Sequence, residues 1–92
     1  MSVVEIHMEL TNKQYALQDH LFELQHEMDL VEKNIEAHEQ DPFISEEQVQ
    51  SLYRHLWSLQ ADFNESKKEL ETVKKRLSEL VEIVGGIMSS DF

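Results

Sequence analysis

The residues best suited to chemistry in this sequence are five histidines in a chain rich in carboxylates. Glu23 and His26 are three positions apart, so a helix places their carboxylate and imidazole groups on adjacent turns of one face. Both groups can ligate transition metals, and they could form part of a metal site. A site needs further ligands or a pocket, so the pair must be judged together with the elements that position it.

At this one motif the chain resembles the di-iron carboxylate bundles, whose helices carry inward-facing Glu-x-x-His pairs. The resemblance implies two such pairs, but the sequence contains only one, and the helical register places Glu23 and His26 on the solvent side. The chain has no cysteine and therefore no thiolate ligand or thiol nucleophile. We predict no metal, no cofactor and no catalytic residue, and we expect a protein that is not an enzyme. Histidines near acids could instead make assembly depend on pH.

The strongest pattern in the sequence is a regular spacing of apolar residues from Val49 to Val84. They recur at alternating steps of three and four for five heptads, with Ser66 as the one interruption. This spacing predicts a long helix with a narrow apolar seam that packs against another helix. A matching seam runs through the first half of the chain. The predicted seam residues are Leu17, Leu21, Leu24, Met28, Val31, Ile35, Val49, Leu52, Leu56, Leu59, Phe63, Leu70, Val73, Leu77, Leu80 and Val84.

Capping signals set the expected helix boundaries. A pair of residues with the spacing of a capping box stands directly before each predicted helix, and two successive glycines suit a left-handed C-cap at the end of the second. We therefore predict helix 1 over 12–39, a turn over 40–45 that contains Pro42, helix 2 over 46–84 and a flexible tail over 85–92. The predicted cap residues are Thr11, Gln14, Ser45, Gln48, Gly85 and Gly86.

Residues 1–11 allow two interpretations. Apolar and polar residues alternate from Val4 to Leu10, as in a half-buried strand, whereas Ser2 and Glu5 have capping-box spacing and favour a helix. We favour a strand or extended arm. The segment VVEIHMELTNKQYALQDHL then resembles the start of the ribbon-helix-helix repressors, which implies a strand that reads DNA bases. Carboxylates at its outward positions would repel phosphates, so we expect no direct binding to nucleic acid.

The expected fold class is mainly all-α. One domain over 1–92 forms an antiparallel two-helix coiled-coil hairpin, with Met28 opposite Leu56 and Leu17 opposite Ser66. One hairpin cannot cover its own apolar surface, so we predict a homodimer that forms a four-helix bundle. A second stripe beside the seam supplies the expected oligomer or partner interface. It consists of Met8, Tyr15, Phe22, Tyr53, Trp57, Val81 and Ile83.

Charge limits the classes of partner. Residues 1–47 carry twelve acids against two lysines, a balance of −10, and residues 48–92 carry seven acids against six bases, a balance of −1. Such a surface favours a basic partner over nucleic acid or anionic lipid. We expect a cytoplasmic assembly or adaptor module that binds proteins and does not enter a membrane. In size, charge and pattern the chain also resembles the secretion and virion-assembly chaperones, which implies an aggregation-prone helical partner. A third alternative is an acidic decoy that inhibits a basic, nucleic-acid-binding protein.

Overall fold

The computed structural model is a hairpin of two long α-helices packed against each other. It describes the backbone of residues 2–90 and the side chains of residues 2–85. Helix α1 spans Val3–Glu39 and helix α2 spans Glu46–Ser90. The Cα atoms occupy 74 × 16 × 16 Å. The predicted helical hairpin is confirmed. Residues 91 and 92, the end of the predicted tail, lie outside the described residues.

The start of α1 differs from the prediction of an extended arm over 1–11. Ser2 is the N-cap, with an extended backbone at φ −77° and ψ 159°, and its hydroxyl accepts a hydrogen bond from the Glu5 amide at 3.2 Å. Thr11 is not a cap. Thr11 lies within α1, and its hydroxyl donates to the His7 carbonyl one turn earlier at 2.8 Å. The strand prediction and the Thr11–Gln14 cap are wrong because a lone strand leaves its backbone groups unpaired, whereas a longer helix pairs them internally.

The turn over residues 40–45 is fixed by short-range hydrogen bonds. The Asp41 carboxylate accepts from the Phe43 amide at 2.9 Å, which is an Asx turn. At the start of α2 the Gln48 amide donates to the Ser45 hydroxyl, and the Ser45 amide donates to the Gln48 side chain, each at 3.3 Å. These reciprocal bonds form a capping box.

The end of α2 also differs from the prediction. The helix continues through Gly85 and Gly86 to Ser90, and no described glycine has a positive φ. A left-handed cap at this point, and a flexible tail from residue 85, are therefore wrong for the described residues. Each glycine costs a helix about 1 kcal/mol relative to alanine. Two glycines without a following proline leave the helical backbone hydrogen bonds free to continue.

The two helices bury one seam between them. All sixteen predicted seam residues are buried or half-buried. The most buried of them are Leu24, Met28, Val31, Ile35, Leu59, Leu70 and Val73. Ser66, the interruption in α2, is half-buried in the same row.

Two polar contacts across the seam fix its register. The Tyr53 hydroxyl donates to the Glu39 carboxylate, and Lys13 pairs with Glu69 at 3.0 Å. Together they place Met28 level with Leu59, about 4.5 Å from the pairing that we expected. Most of this difference is geometric, because a helical side chain covers the surface about one residue towards the N-terminus of its own helix. In an antiparallel pair these two displacements add to about 3 Å.

The hairpin leaves an unusually large share of its surface uncovered. Its accessible surface is 7239 Å², whereas a compact monomer of this mass exposes about 5,600 Å². The radius of gyration is 20.8 Å, against about 12 Å for a compact chain of this length. No described side chain falls below 2% relative exposure. Two helices pack along one line only, so their remaining faces stay open to solvent.

Candidate interaction face

The residues that invited a metal hypothesis do not converge. Glu23 and His26 are both exposed, at positions c and f of α1, which point away from α2. Among the described residues, no group of three or more histidine or acidic side chains could hold a metal ion. The described helices also include none that is long and apolar enough to cross a membrane. The feature that does stand out is a continuous surface, which the heptad positions locate.

The hairpin has two flanks that differ in character. With seam residues at heptad positions a and d, the e positions of both helices share one flank and the g positions share the other. Glu39 and Tyr53 are both e residues, and their hydrogen bond marks the first flank. Lys13 and Glu69 are both g residues, and their ion pair marks the second.

An outer stripe on α1 lies along the first flank, at positions e and b. Each residue in it follows a seam residue by one position, which is a rotation of about 100° around the helix. The stripe carries no charge from Val4 to Gln25. Its members are Val4, Met8, Thr11, Tyr15, Gln18, Phe22 and Gln25.

A matching outer stripe on α2 lies beside it. It is uncharged from Gln50 to Asn64 and consists of Gln50, Tyr53, Trp57, Gln60 and Asn64. Further towards the open end, Ser78, Val81 and Gly85 continue the same e and b positions. We call the surface formed by the e and b positions of both helices the outer face. Each helix thus carries the a/d seam and, next to it, the outer stripe. Two adjacent contact stripes are typical of a helix that packs against two neighbouring helices.

Large apolar side chains on the outer face are exposed to solvent. Phe22 is 77% exposed, and Tyr15 and Trp57 are each 61% exposed. Met8 and Val81 are exposed as well, and Tyr53 is half-buried. Ordinary monomer surfaces carry single exposed apolar residues without consequence, but a contiguous stripe marks a contact site.

Six of the seven predicted interface residues lie on the outer face, and one does not. Ile83 is a g residue, so it lies on the opposite flank. Val4 belongs to the outer face although we did not predict it. The uncharged polar members were missed as well, and the signal that could have found them is the absence of charge one position after each seam residue.

Two hollows lie on the outer face, one near each end of the hairpin. The turn-end hollow is lined by Gln50, Tyr53, Arg54 and Trp57 and has a volume of about 400 Å³. The open-end hollow is lined by His7, Leu80, Val81, Val84 and Gly85 and has a volume of about 350 Å³. Both are shallow depressions rather than enclosed cavities, so they suit a protruding side chain better than a buried small molecule.

Tyr53 and Trp57 form the aromatic part of the turn end. Their ring centroids are 6.1 Å apart with planes tilted by 37°, within the range of a favourable aromatic pair. The hydrogen bond to Glu39 raises the pKa of the Tyr53 phenol, and desolvation and the Glu39 charge act in the same direction. Glu39 thus holds the Tyr53 ring in place and leaves Trp57 as the projecting residue.

Charges border the outer face asymmetrically. On α1 the e and b positions near the turn are acidic, at Asp29, Glu32 and Glu36. On α2 the middle of the face carries Lys67 and Lys74 with Glu71 between them. Apolar residues on one helix therefore lie beside charged residues on the other at the turn end and in the middle of the face.

The fold and this face define a helical hairpin with exposed apolar side chains along one face. Comparison with known proteins returned no match to a family model, a curated protein or a solved structure. Its function must therefore be inferred from the geometry of its own residues.

Proposed function

We propose that this protein is a helical-hairpin assembly module that self-associates through its outer face into a coiled-coil four-helix bundle, and that it organises other proteins as an adaptor. The observation that supports this most is the pair of uncharged segments, 4–25 on the α1 stripe and 50–64 on the α2 stripe, that carry exposed Tyr15, Phe22 and Trp57. A bundle of four helices gives each helix two neighbours, which is what two adjacent seams require.

The excess accessible surface area of the hairpin supports the same proposal. The hairpin exposes about 1,600 Å² more than a compact chain of its mass, and a standard protein interface removes about 800 Å² from each partner. Pairing through the outer face would therefore cover a substantial part of the excess. It would also bury aromatic residues, which dominate the energetics of protein interfaces.

Light scattering combined with circular dichroism tests this function. Trp57→Glu places a carboxylate on the outer face near its turn end, and Ser58→Glu places the same charge one residue away at an exposed c position outside that face. We expect Trp57→Glu to shift the protein to monomer with its helix content retained, and Ser58→Glu to leave the mass unchanged. If Trp57→Glu loses helix content and Ser58→Glu does not, Trp57 belongs to the intramolecular core. The main support for self-association through the outer face would then be lost.

A second candidate is a chaperone that shields an aggregation-prone helical partner. The open outer face, with its two hollows, favours this alternative because a groove between two helices accepts a third amphipathic helix. The two functions compete for one surface. If the protein is a chaperone, an amphipathic client helix should bind to the outer face and dissociate the dimer. Trp57→Glu should then abolish client binding.

The acidic decoy remains a third proposal, supported by the −10 balance of residues 1–47. Salt separates it from the other two. Binding carried by exposed charges should collapse between low and moderate ionic strength, whereas binding through apolar surface should persist.

A further inference from the structure

We infer that the outer face binds a second copy of this chain in antiparallel orientation, with α1 against the second copy's α1 and α2 against its α2. This inference rests on the proposed function and adds the arrangement of the two chains. The two-fold axis crosses the hairpin beside Gln18 on α1 and between Lys67 and Glu71 on α2.

The positions of the two hollows are the first observation that supports the antiparallel arrangement. The observed register places Trp57 level with position 30 of α1 and Val81 level with position 6, so the turn-end and open-end hollows lie at equal distances on either side of Gln18. A two-fold axis at Gln18, perpendicular to the helices, places the turn-end hollow of each copy opposite the open-end hollow of the other. Trp57, at the edge of the turn-end hollow, then enters the second copy's open-end hollow beside Val81 and Leu80.

Side-chain size is complementary in the same arrangement. Along α2, the large Tyr53 faces the second copy's Gly85, and Trp57 faces its Val81. A Cβ built on Gly85 meets no atom within 4 Å in the single hairpin, so a side chain of the second copy can approach the backbone here. Gln60 similarly faces the second copy's Ser78. Large residues thus oppose small ones, as in well-packed interfaces.

Charge is complementary as well. Lys67 of one chain faces Glu71 of the second copy, and the two-fold axis repeats this pair. On α1, the exposed rings of Tyr15 and Phe22 meet across the axis. Face-to-face packing along two helices, each about 10 Å wide, over about 42 Å covers about 800 Å² per chain. That area matches a stable interface.

The alternative two-fold arrangement, with both turns at the same end, matches poorly. It places α1 against the second copy's α2 at equal levels. Tyr15 would then face Glu71, and Trp57 would face Asp29. Burying aromatic rings against unpaired charges is unfavourable. In the antiparallel dimer Met8 and Val4 face Asp29 and Glu32 of the second copy, but these contacts lie near the ends of the interface and involve no aromatic ring. Self-recognition of this face therefore favours the antiparallel dimer.

Engineered cysteines test the arrangement in the full chain, which has no cysteine of its own. Gln60→Cys and Ser78→Cys are conservative changes at exposed positions. Mixed in equal amounts and oxidised, the two variants should yield a disulfide-linked heterodimer. Neither variant should link to itself, because the antiparallel axis separates two copies of Gln60 by about 27 Å and a disulfide needs Cα atoms within about 7 Å.

A matched pair controls for random collision. Ala61→Cys and Glu79→Cys have the same separation along α2 and are exposed away from the outer face, so their mixture should remain unlinked. Gln18→Cys gives a second readout. It lies at the axis and should link to itself, whereas Gln25→Cys, two turns further along the stripe, should not.

The outcomes distinguish this inference from the function on which it rests. A linked mixture of the Gln60 and Ser78 variants, with an unlinked control pair, supports the antiparallel dimer. A dimer by light scattering in which that mixture stays unlinked overturns the arrangement but leaves self-association intact. A monomer at all concentrations overturns both.

Discussion

Phe22→Ala is the perturbation that separates the outer face from the seam most clearly. Phe22 is 77% exposed in the single hairpin, so its truncation should change the stability of that hairpin by no more than about 0.5 kcal/mol. In a dimer the ring would be buried. A phenylalanine offers about 200 Å², of which about three quarters is exposed here, worth about 4 kcal/mol at about 25 cal/mol per Å² if it were fully covered.

Half of that burial, about 2 kcal/mol for each chain, is a realistic value for an interface with a wet rim. Because the change occurs in both chains, the dimer loses about 4 kcal/mol. At about 1.4 kcal/mol for each tenfold change, the dimer Kd should rise about a thousandfold. The melting temperature of the variant should also lose its dependence on protein concentration.

Sedimentation equilibrium over a range of concentrations measures this Kd. Leu30→Ala is the matched control, because Leu30 is an apolar residue of the same helix, 47% exposed, at a c position away from the outer face. It should leave the Kd within about threefold of the unmodified chain, since surface changes cost no more than about 0.5 kcal/mol. Equal weakening by the two variants would show that the outer face is not the contact surface.

Two further predictions concern the corrected helix end and the turn. Gly85→Ala should stabilise α2 by about 0.5–1 kcal/mol in thermal melts of dilute protein, because Gly85 is helical and alanine favours helix; destabilisation would indicate a left-handed cap. Glu39→Gln should lower the pKa of the Tyr53 phenol, because the bond to the Glu39 carboxylate raises it. With Tyr15 replaced by phenylalanine, phenolate absorbance reports Tyr53 alone. A raised pKa favours the neutral phenol in the folded state, so this contribution to stability is complete below the ordinary phenol pKa of about 10 and is lost as pH rises through the raised value. An unchanged Tyr53 pKa in Glu39→Gln would show that another group is responsible.

The hairpin could be predicted from sequence because its signals repeat. The seam from Leu17 to Ile35 and from Val49 to Val84 recurs over many turns, so a local error cannot displace it. The Ser45–Gln48 capping box is local and chemically specific, and the structure shows both of its hydrogen bonds.

The two ends of the hairpin could not be predicted in the same way. Between Val4 and Leu10 the alternation of a strand and the spacing of a helix coincide, and only the continuing pairing with α2 decides between them. At Gly85 the local preference for a cap is worth about 1 kcal/mol, which the helix overrides. Most of the error in the expected register arises because sequence spacing does not show the lean of each side chain towards its own N-terminus.

The outer face could be predicted only in part. Large residues such as Tyr15 and Trp57 attract notice in a sequence, whereas Gln18, Gln25 and Gln60 do not. Their importance appears only when the Tyr53–Glu39 and Lys13–Glu69 contacts show which flank each stripe occupies. Ile83 is apolar and lies just beside the seam, as Val81 does, but its g position places it on the other flank.

The mass of the unmodified chain in solution tests the central proposal most directly. Sedimentation equilibrium at micromolar concentration should give twice the chain mass of 10.9 kDa, and the mass should fall towards 10.9 kDa on dilution as the outer face is exposed. A fully helical species that remains at 10.9 kDa across the whole concentration range would contradict self-association through this face.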